Sequence, residues 1–340
     1  MIHIIYIERS VADHPRTLEI QERFPKAMRV YCGRYTEIFN RKAQNFRLQK
    51  KRPALIIAEK FRQRLLPVPV SYSLGTSHGY YFSHMLNCIY DCRYCYLQGM
   101  FRSAHYVLFV NYEDFTTDIK QTIRIHGNDH VQFFSGYDCD SLALDPVTRF
   151  TEHFLPVFAK QPRALLELRT KSTQIRSLLE YGPVPNCIVA FSFTPQAIAT
   201  VLEHRTPSIE SRIEAMVKLQ KQGWQTALRF DPLIHDANFR ENYTGLFRDI
   251  FAALDPDLLH SVTLGSFRLP GEYFSNIRKL YPDEPLFASF PDTPAKTAAG
   301  RKVMTAYHRD IEFSMLEFCN KELQSYMPRE KIYHCQTTFA

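Results

Sequence analysis

The sequence predicts an α/β protein: a partial (β/α) TIM-like barrel preceded by an N-terminal α/β extension. Three observations lead there. From about residue 79 onward, short apolar, β-rich runs alternate with amphipathic helical stretches, the pattern of βα units around a parallel sheet. Residues 1–70 carry their own strand, helix and strand signals and a basic stretch. A chain of 340 residues with 45% hydrophobic content has ample material for a sizeable core, in one large or two modest domains.

In the extension (1–70), a strand is expected at 2–7, a helix at 16–24 and a strand at 28–32. The opening Met-Ile-His-Ile-Ile-Tyr-Ile-Glu reads as that first strand, since it lacks the basic region, long apolar region and cleavage site of an export signal. No apolar run approaches the length of a membrane span. A cytoplasmic, reducing location is therefore expected, and the eight cysteines read as free thiols or metal ligands rather than as four disulfides.

The barrel core is expected over 71–290, with strands at 79–86, 106–111, 130–135, 164–169, 187–193, 225–231 and 261–267. Between them lie helices such as 207–222, where Ile209, Ile213, Met216, Val217 and Leu219 recur near a 3.6-residue period; Ser208 caps it and Gly223 stops it. Such a barrel gathers the loops after its strands on one face. The loop after the first strand, residues 135–139 after the third, Thr170 and Lys171 after the fourth, 192–194 after the fifth and Asp231 after the sixth should converge there. A C-terminal helical cap is expected over 291–340, with a long helix near 297–323 and an apolar finish at 331–335.

Charge adds a weaker signal. Forty-two Lys and Arg against 35 Asp and Glu give a net +7. The excess gathers at Arg41, Lys42, Arg47, Lys50, Lys51, Arg52, Lys60, Arg62 and Arg64, opposed over that stretch only by Glu59. The run is either a solvated surface or a contact for nucleic acid.

The most informative residues are Cys88, Cys92 and Cys95. Three thiolates spaced C-x3-C-x2-C can each bind one iron of a 4Fe-4S cubane and leave the fourth iron without a protein ligand. That open iron can chelate the amino and carboxylate groups of S-adenosylmethionine (SAM) and pass an electron to its sulfonium, the signature of the radical SAM superfamily. A separate reducing protein would supply the electron. The plainer readings are buried thiols or a zinc site, but no second C-x2-C pair follows, and only His84 offers to complete a tetrahedron.

Around the cluster motif the chain resembles the spore photoproduct lyase family, radical SAM enzymes that reverse a thymine dimer in ultraviolet-damaged DNA. The residues carrying the resemblance are Cys-Arg-Tyr-Cys-Tyr (92–96), Leu-Arg-Thr-Lys (168–171), Ala-Phe-Ser-Phe-Thr-Pro (190–195), Glu-His-Arg-Thr-Pro-Ser-Ile-Glu-Ser-Arg-Ile-Glu-Ala (203–215), Arg-Phe-Asp-Pro-Leu-Ile-His (229–235) and the opening Ile-Tyr-Ile-Glu. The resemblance implies a barrel of radical SAM type, a 4Fe-4S cluster and SAM as cofactors, and DNA as substrate. It implies that Lys171 and Ser192 bind SAM, with Ser135 at the end of the third strand a further candidate. Taken alone, a lysine at a strand end is most often solvated, and a serine in a strand is most often bonded to backbone.

In the family a cysteine after the third strand returns a hydrogen atom to the product radical, and tyrosines of the cluster motif relay it. Tyr94 and Tyr96 match those tyrosines; their plain reading is packing over the cluster. At the donor the chain departs from the family: Phe-Ser-Gly-Tyr-Asp-Cys-Asp-Ser (134–141) stands where the family reads approximately Glu-Ala-Ala-Cys-Thr-Ser-Asp. A gapless match anchored on Leu-Asp-Pro-Val-Thr (144–148) puts Tyr137 at the donor position and Cys139 two residues later. Both are candidates, with a buried free cysteine of no catalytic role as the alternative for Cys139. The family's Gly- and Tyr-rich lesion-binding stretch is not recognisable in 291–307, although Arg301 and Lys302 keep charge there. A radical SAM enzyme acting on RNA or peptide, and a noncatalytic nucleic-acid-binding protein with a structural metal site, are the competing readings.

Overall fold

The run Ile4–Glu8 alternates buried and half-buried side chains, as a strand covered mainly on one face should. It pairs in parallel with Met28–Cys32 on one side and Leu55–Ala58 on the other, and the intervening helix Pro15–Arg23 matches the expected one. The computed structural model describes residues 2–68, 76, 78–290 and 304–335.

The strand Tyr106–Phe109, expected as the second strand of the barrel, belongs to this N-terminal sheet instead. It pairs in parallel with Leu55–Ala58 and antiparallel with Met85–Leu86. Periodicity cannot reveal that difference, because Tyr106–Phe109 is buried at all four positions, and a fully covered strand reads alike in either sheet. Leu55–Ala58, also buried throughout, was hidden by the basic residues around it. The consequence for function is direct: the cysteine-bearing loop is suspended between two neighbouring strands of the N-terminal sheet rather than between two barrel strands.

The second sheet runs in the order Ile332–His334, Leu259–Ser266, Gln225–Leu233, Cys187–Ser192, Ala164–Thr170, Val131–Ser135, His78–Phe82, Leu66–Pro67. All its neighbours are parallel except the last pair, so the sheet is an open, curled half-barrel with helices on its outer face. The helix Ile209–Gln222 forms as expected: the Ser208 hydroxyl accepts from the Ser211 amide at 3.1 Å, and Gly223 closes it in the left-handed region at φ 96°. The long C-terminal helix covers only Arg309–Leu323, because Met304–Ala306 is drawn into an antiparallel pair with Arg268–Pro270; the earlier part of the expected helix lies outside the described residues. The apolar finish is the edge strand Ile332–His334 rather than part of a helical cap.

Outside the strands the core is strongly aromatic, with Phe82, Phe150 and Phe154 in mutual contact. Inside them sits an ion pair: Arg229 donates to both oxygens of Glu167 at 3.1 and 2.8 Å, and both side chains are 1% exposed. Burial opposes the Glu167 charge, but the Arg229 guanidinium outweighs it and holds the carboxyl below its usual range. Arg229→Met is expected to cost about 3–5 kcal/mol of stability by stranding the Glu167 charge, measured as a lower urea midpoint. The wild-type pair contributes fully above the ordinary carboxylate pKa, and its contribution is lost as pH falls through the lowered folded value.

Candidate active site

The cysteine loop is pinned at its base. Asn87 takes a left-handed conformation (φ 69°), tolerable for Asn, and its amide donates to the carbonyls of Ser103 and His105 at 2.7 and 2.8 Å, tying the two ends of the loop together. Farther out, Asp91–Cys92 pairs antiparallel with Glu203–His204, and the Arg93 amide bonds the Leu202 carbonyl at 2.8 Å. Gln98 closes the loop on itself by donating to Asp91 and to the Cys92 carbonyl. At Gly99 any side chain would strike the Tyr273 backbone, so glycine there lets the loop lie directly on the helix Gly271–Leu280.

This loop and the C-terminal strand ends enclose a cavity of about 650 Å3. Cys88, Cys92, Cys95, Tyr94, Tyr96, Ser135, Tyr137, Cys139, Lys171 and Ser192 all line it, as does Asp231. These residues gather on one mouth as expected, although the expected second strand belongs to the N-terminal sheet and the expected strand 79–86 is split into His78–Phe82 and Met85–Leu86, one in each sheet. A turn at Gly136 (φ 78°) carries the chain over the cavity, and a Cβ there would collide with Ser141. Arg301 and Lys302, with all of 291–303, lie outside the described residues.

Within the cavity the candidate residues are differently engaged. Ser135 bonds Ser141 at 2.8 Å and the Glu167 carbonyl at 3.0 Å, so its hydroxyl already has two protein partners. The Lys171 ammonium lies 3.7 Å from Glu203 and over the Tyr94 ring at 5.6 Å. Tyr94 donates to Glu203, whereas Tyr96 donates to the Tyr137 carbonyl. Cys139 is 9% exposed; burial and then the neighbouring Cys88 push its thiol well above the ordinary value, so it keeps its hydrogen.

Glu203 and Asp140 were not singled out from the sequence. Glu203 is fully buried, with Arg212, Tyr94 and Lys171 on its carboxylate. Burial opposes its ionisation, but Lys171 and Arg212 outweigh that and hold the carboxyl below its usual range. Asp140 accepts from the Thr170 hydroxyl and the Lys171 amide, both at 2.7 Å, and from the Leu142 and Ala143 amides, fixing the strand end that presents Lys171. The signal for Glu203 lay in the stretch Glu-His-Arg-Thr-Pro (203–207), which opens on it.

Cys88, Cys92 and Cys95 line one cavity, and a cubane takes its thiolates at separate corners, so the three thiols fit a cluster. His84 stands apart from them: it is not among the residues lining the cavity, is 1% exposed and stacks on Phe150 at 4.1 Å. Burial pushes the Cys88 thiol up to about 12, and Lys50 and Lys171 offer the nearby positive charge that anionic thiolates need.

Comparison with known proteins agrees with this geometry. The family model described as "Spore photoproduct lyase" matches residues 3–335. A spore photoproduct lyase of Bacillus subtilis is 23% identical over 338 residues, covering 97% of this chain and 96% of the relative. One of Geobacillus sp. is 23% identical over 248 residues, 71% of each chain. In fold, the chain superposes on a mutant spore photoproduct lyase with bound AdoMet and dinucleoside spore photoproduct at TM-score 0.83, 17% identity and 99% coverage of both chains.

Because Glu203 neutralises buried Arg212 and anchors Tyr94, Glu203→Gln is expected to loosen the cysteine loop by about 3–5 kcal/mol. Faster amide hydrogen exchange over 88–97, with exchange in the strand Ile4–Glu8 unchanged, is the measurement that checks it.

Proposed function

The chain belongs to the spore photoproduct lyase family, and we propose that its own residues carry the family's repair of a thymine-dimer-type lesion in DNA as follows. A 4Fe-4S cluster and SAM, when bound, supply the 5′-deoxyadenosyl radical that takes hydrogen from the lesion's bridging methylene. Cys88, Cys92 and Cys95 hold the cluster. Lys171 draws on its place beside the cysteine loop to neutralise the SAM carboxylate, Ser192 contacts another polar edge of the cofactor, and Ser135 supports that wall through its bonds to Ser141 and Glu167.

Hydrogen return falls to Cys139. Its protonated thiol lines the cavity near Cys88, and an S–H bond is weak enough to yield a hydrogen atom to the thymine radical once the linkage between the bases has opened. Tyr96, whose hydroxyl donates to the Tyr137 carbonyl two residues before Cys139, holds the turn that presents the thiol. Tyr94, tied to Glu203, orients the loop and Lys171. The observation that supports this reading most is the gathering of the three cysteines, Lys171, Ser192 and Cys139 around a single cavity.

DNA as substrate also suits the flank of the cavity. The short helix Phe46–Lys51 contributes Phe46 and Lys50 to the lining and leaves Arg47 and Lys51 exposed beside it. Extruding a lesion from a duplex costs a few kcal/mol, which phosphate contacts there would help offset. Electrons come from a separate reducing protein. A reducing cytoplasmic setting suits eight free cysteines, and no helix among the described residues is long and apolar enough to cross a membrane.

One anaerobic series tests the assignment, using dithionite, SAM and the dinucleoside spore photoproduct. Replacing Cys88, Cys92 or Cys95 by Ala should abolish both 5′-deoxyadenosine and thymine. Cys139→Ala should still form 5′-deoxyadenosine yet lose at least tenfold in thymine; undiminished thymine would move the donor elsewhere. For the DNA contact, Arg47→Glu with Lys51→Glu should weaken duplex binding and flatten its salt dependence by about two phosphate contacts.

A further inference from the structure

We propose that Tyr81 and Tyr137 form a stacking shelf that receives a nucleobase of the lesion at the rim of the cavity, an inference that rests on the DNA-lesion reading above. The shelf is a product of the sheet. Along His78–Phe82 alternate residues face opposite sides: the Tyr80 hydroxyl meets His126 at 2.8 Å and its ring lies against Phe133 behind the sheet, while Tyr81 faces the cavity. On the neighbouring strand the left-handed turn at Gly136 brings the Tyr137 ring back over Tyr81, with centroids 4.1 Å apart and planes 24° from parallel.

The pair is held in relation to the reaction centre. The Tyr137 carbonyl accepts from the Tyr96 hydroxyl, and the Tyr96 and Tyr137 rings are 5.8 Å apart, so the residue next to the last cluster cysteine fixes the turn that carries the shelf. Both shelf rings are half-buried and both line the cavity. The same cavity is also lined by charge: Arg268 donates to Asp231 at 3.0 Å, and Arg169 stands 3.9 Å from the same carboxylate. A cavity lined by an aromatic pair and by charged side chains fits a ligand that is planar and apolar on its faces and polar around its edges, which is the chemistry of a nucleobase.

This gives Tyr137 a role other than hydrogen donation, although it aligns with the family's donor. Its ring stacks and its carbonyl orders Tyr96, and neither interaction uses the phenolic hydrogen.

The test is equilibrium binding to the cluster-loaded, SAM-bound enzyme without reductant, with the dinucleoside spore photoproduct and a single-stranded oligothymidine as probes. Tyr81→Leu and Tyr137→Leu should each weaken both probes by roughly 5- to 150-fold, with the visible cluster absorption unchanged as a check on folding. Tyr81→Phe and Tyr137→Phe keep the rings and should stay within about twofold of wild type. Unaltered affinity in the folded Leu variants, or a loss in the Phe variants as large as in the Leu ones, overturns the shelf. Wild-type binding of oligothymidine alone, still lost in the Leu variants, upholds the shelf and overturns the lesion assignment; binding of neither probe overturns both.

Discussion

The structure turns on one buried carboxylate. Glu203 receives Tyr94 from the cysteine loop, Arg212 from a barrel helix and Lys171 from a strand end, and its side chain has no exposed surface. Three cationic or hydroxyl donors on one oxygen pair outweigh the cost of burying its charge, and none can leave without stranding the others. That dependence makes the loop and the barrel one unit at this point. The cysteines are therefore held relative to Lys171 by a charge network rather than by the short loop's own preferences, and a site needing sub-ångström order gains it from residues that touch no reacting atom.

The same division explains what the sequence discloses. Cys88, Cys92 and Cys95 lie within one turn-rich loop, so their common purpose is written in their spacing. Glu203 stands 109 residues from the tyrosine it binds, and a lone glutamate after a helix carries no spacing signal of its own. The helix Ile209–Gln222 was legible because its cap, period and stop are all local. The strand Tyr106–Phe109 was legible as a strand but not as a member of the N-terminal sheet, since partner choice is settled by long-range packing. The C-terminal helix was overextended at Met304–Ala306, which take up an antiparallel pairing with Arg268–Pro270 that no local pattern announces.

Suspension of the cysteine loop from the N-terminal sheet has a mechanical consequence. Met85–Leu86 and Tyr106–Phe109 pair directly, and Asn87 bridges the two ends just above that pairing. The loop's base is thus referenced to one sheet, while its tip is referenced to the other through Glu203–His204. The cavity lies between the two references. A shift of either sheet would change the distance between the cysteines and Lys171, so the heavily buried junction between them sets the geometry of the site.

The cavity is also divided in character, and the division separates what is shared with the family from what is particular to this chain. Lys171, Ser192 and the cysteines sit in the stretches that carry the family resemblance. Tyr81, Tyr137 and Cys139 lie outside those motifs or depart from them, and they line the same cavity. In residues 134–141, where a gapless match to the family sets Tyr137 at the donor position and Cys139 two residues later, Asp140 anchors the loop to Thr170 and Lys171. The Asp140 end of the loop is thus held by hydrogen bonds to the strand that presents Lys171, while its Tyr137 end is held by the Tyr96 hydroxyl. Asp140 therefore ties the strand end that presents Lys171 to the loop that carries Tyr137 and Cys139, so the two sides of the cavity share one hydrogen-bonded anchor.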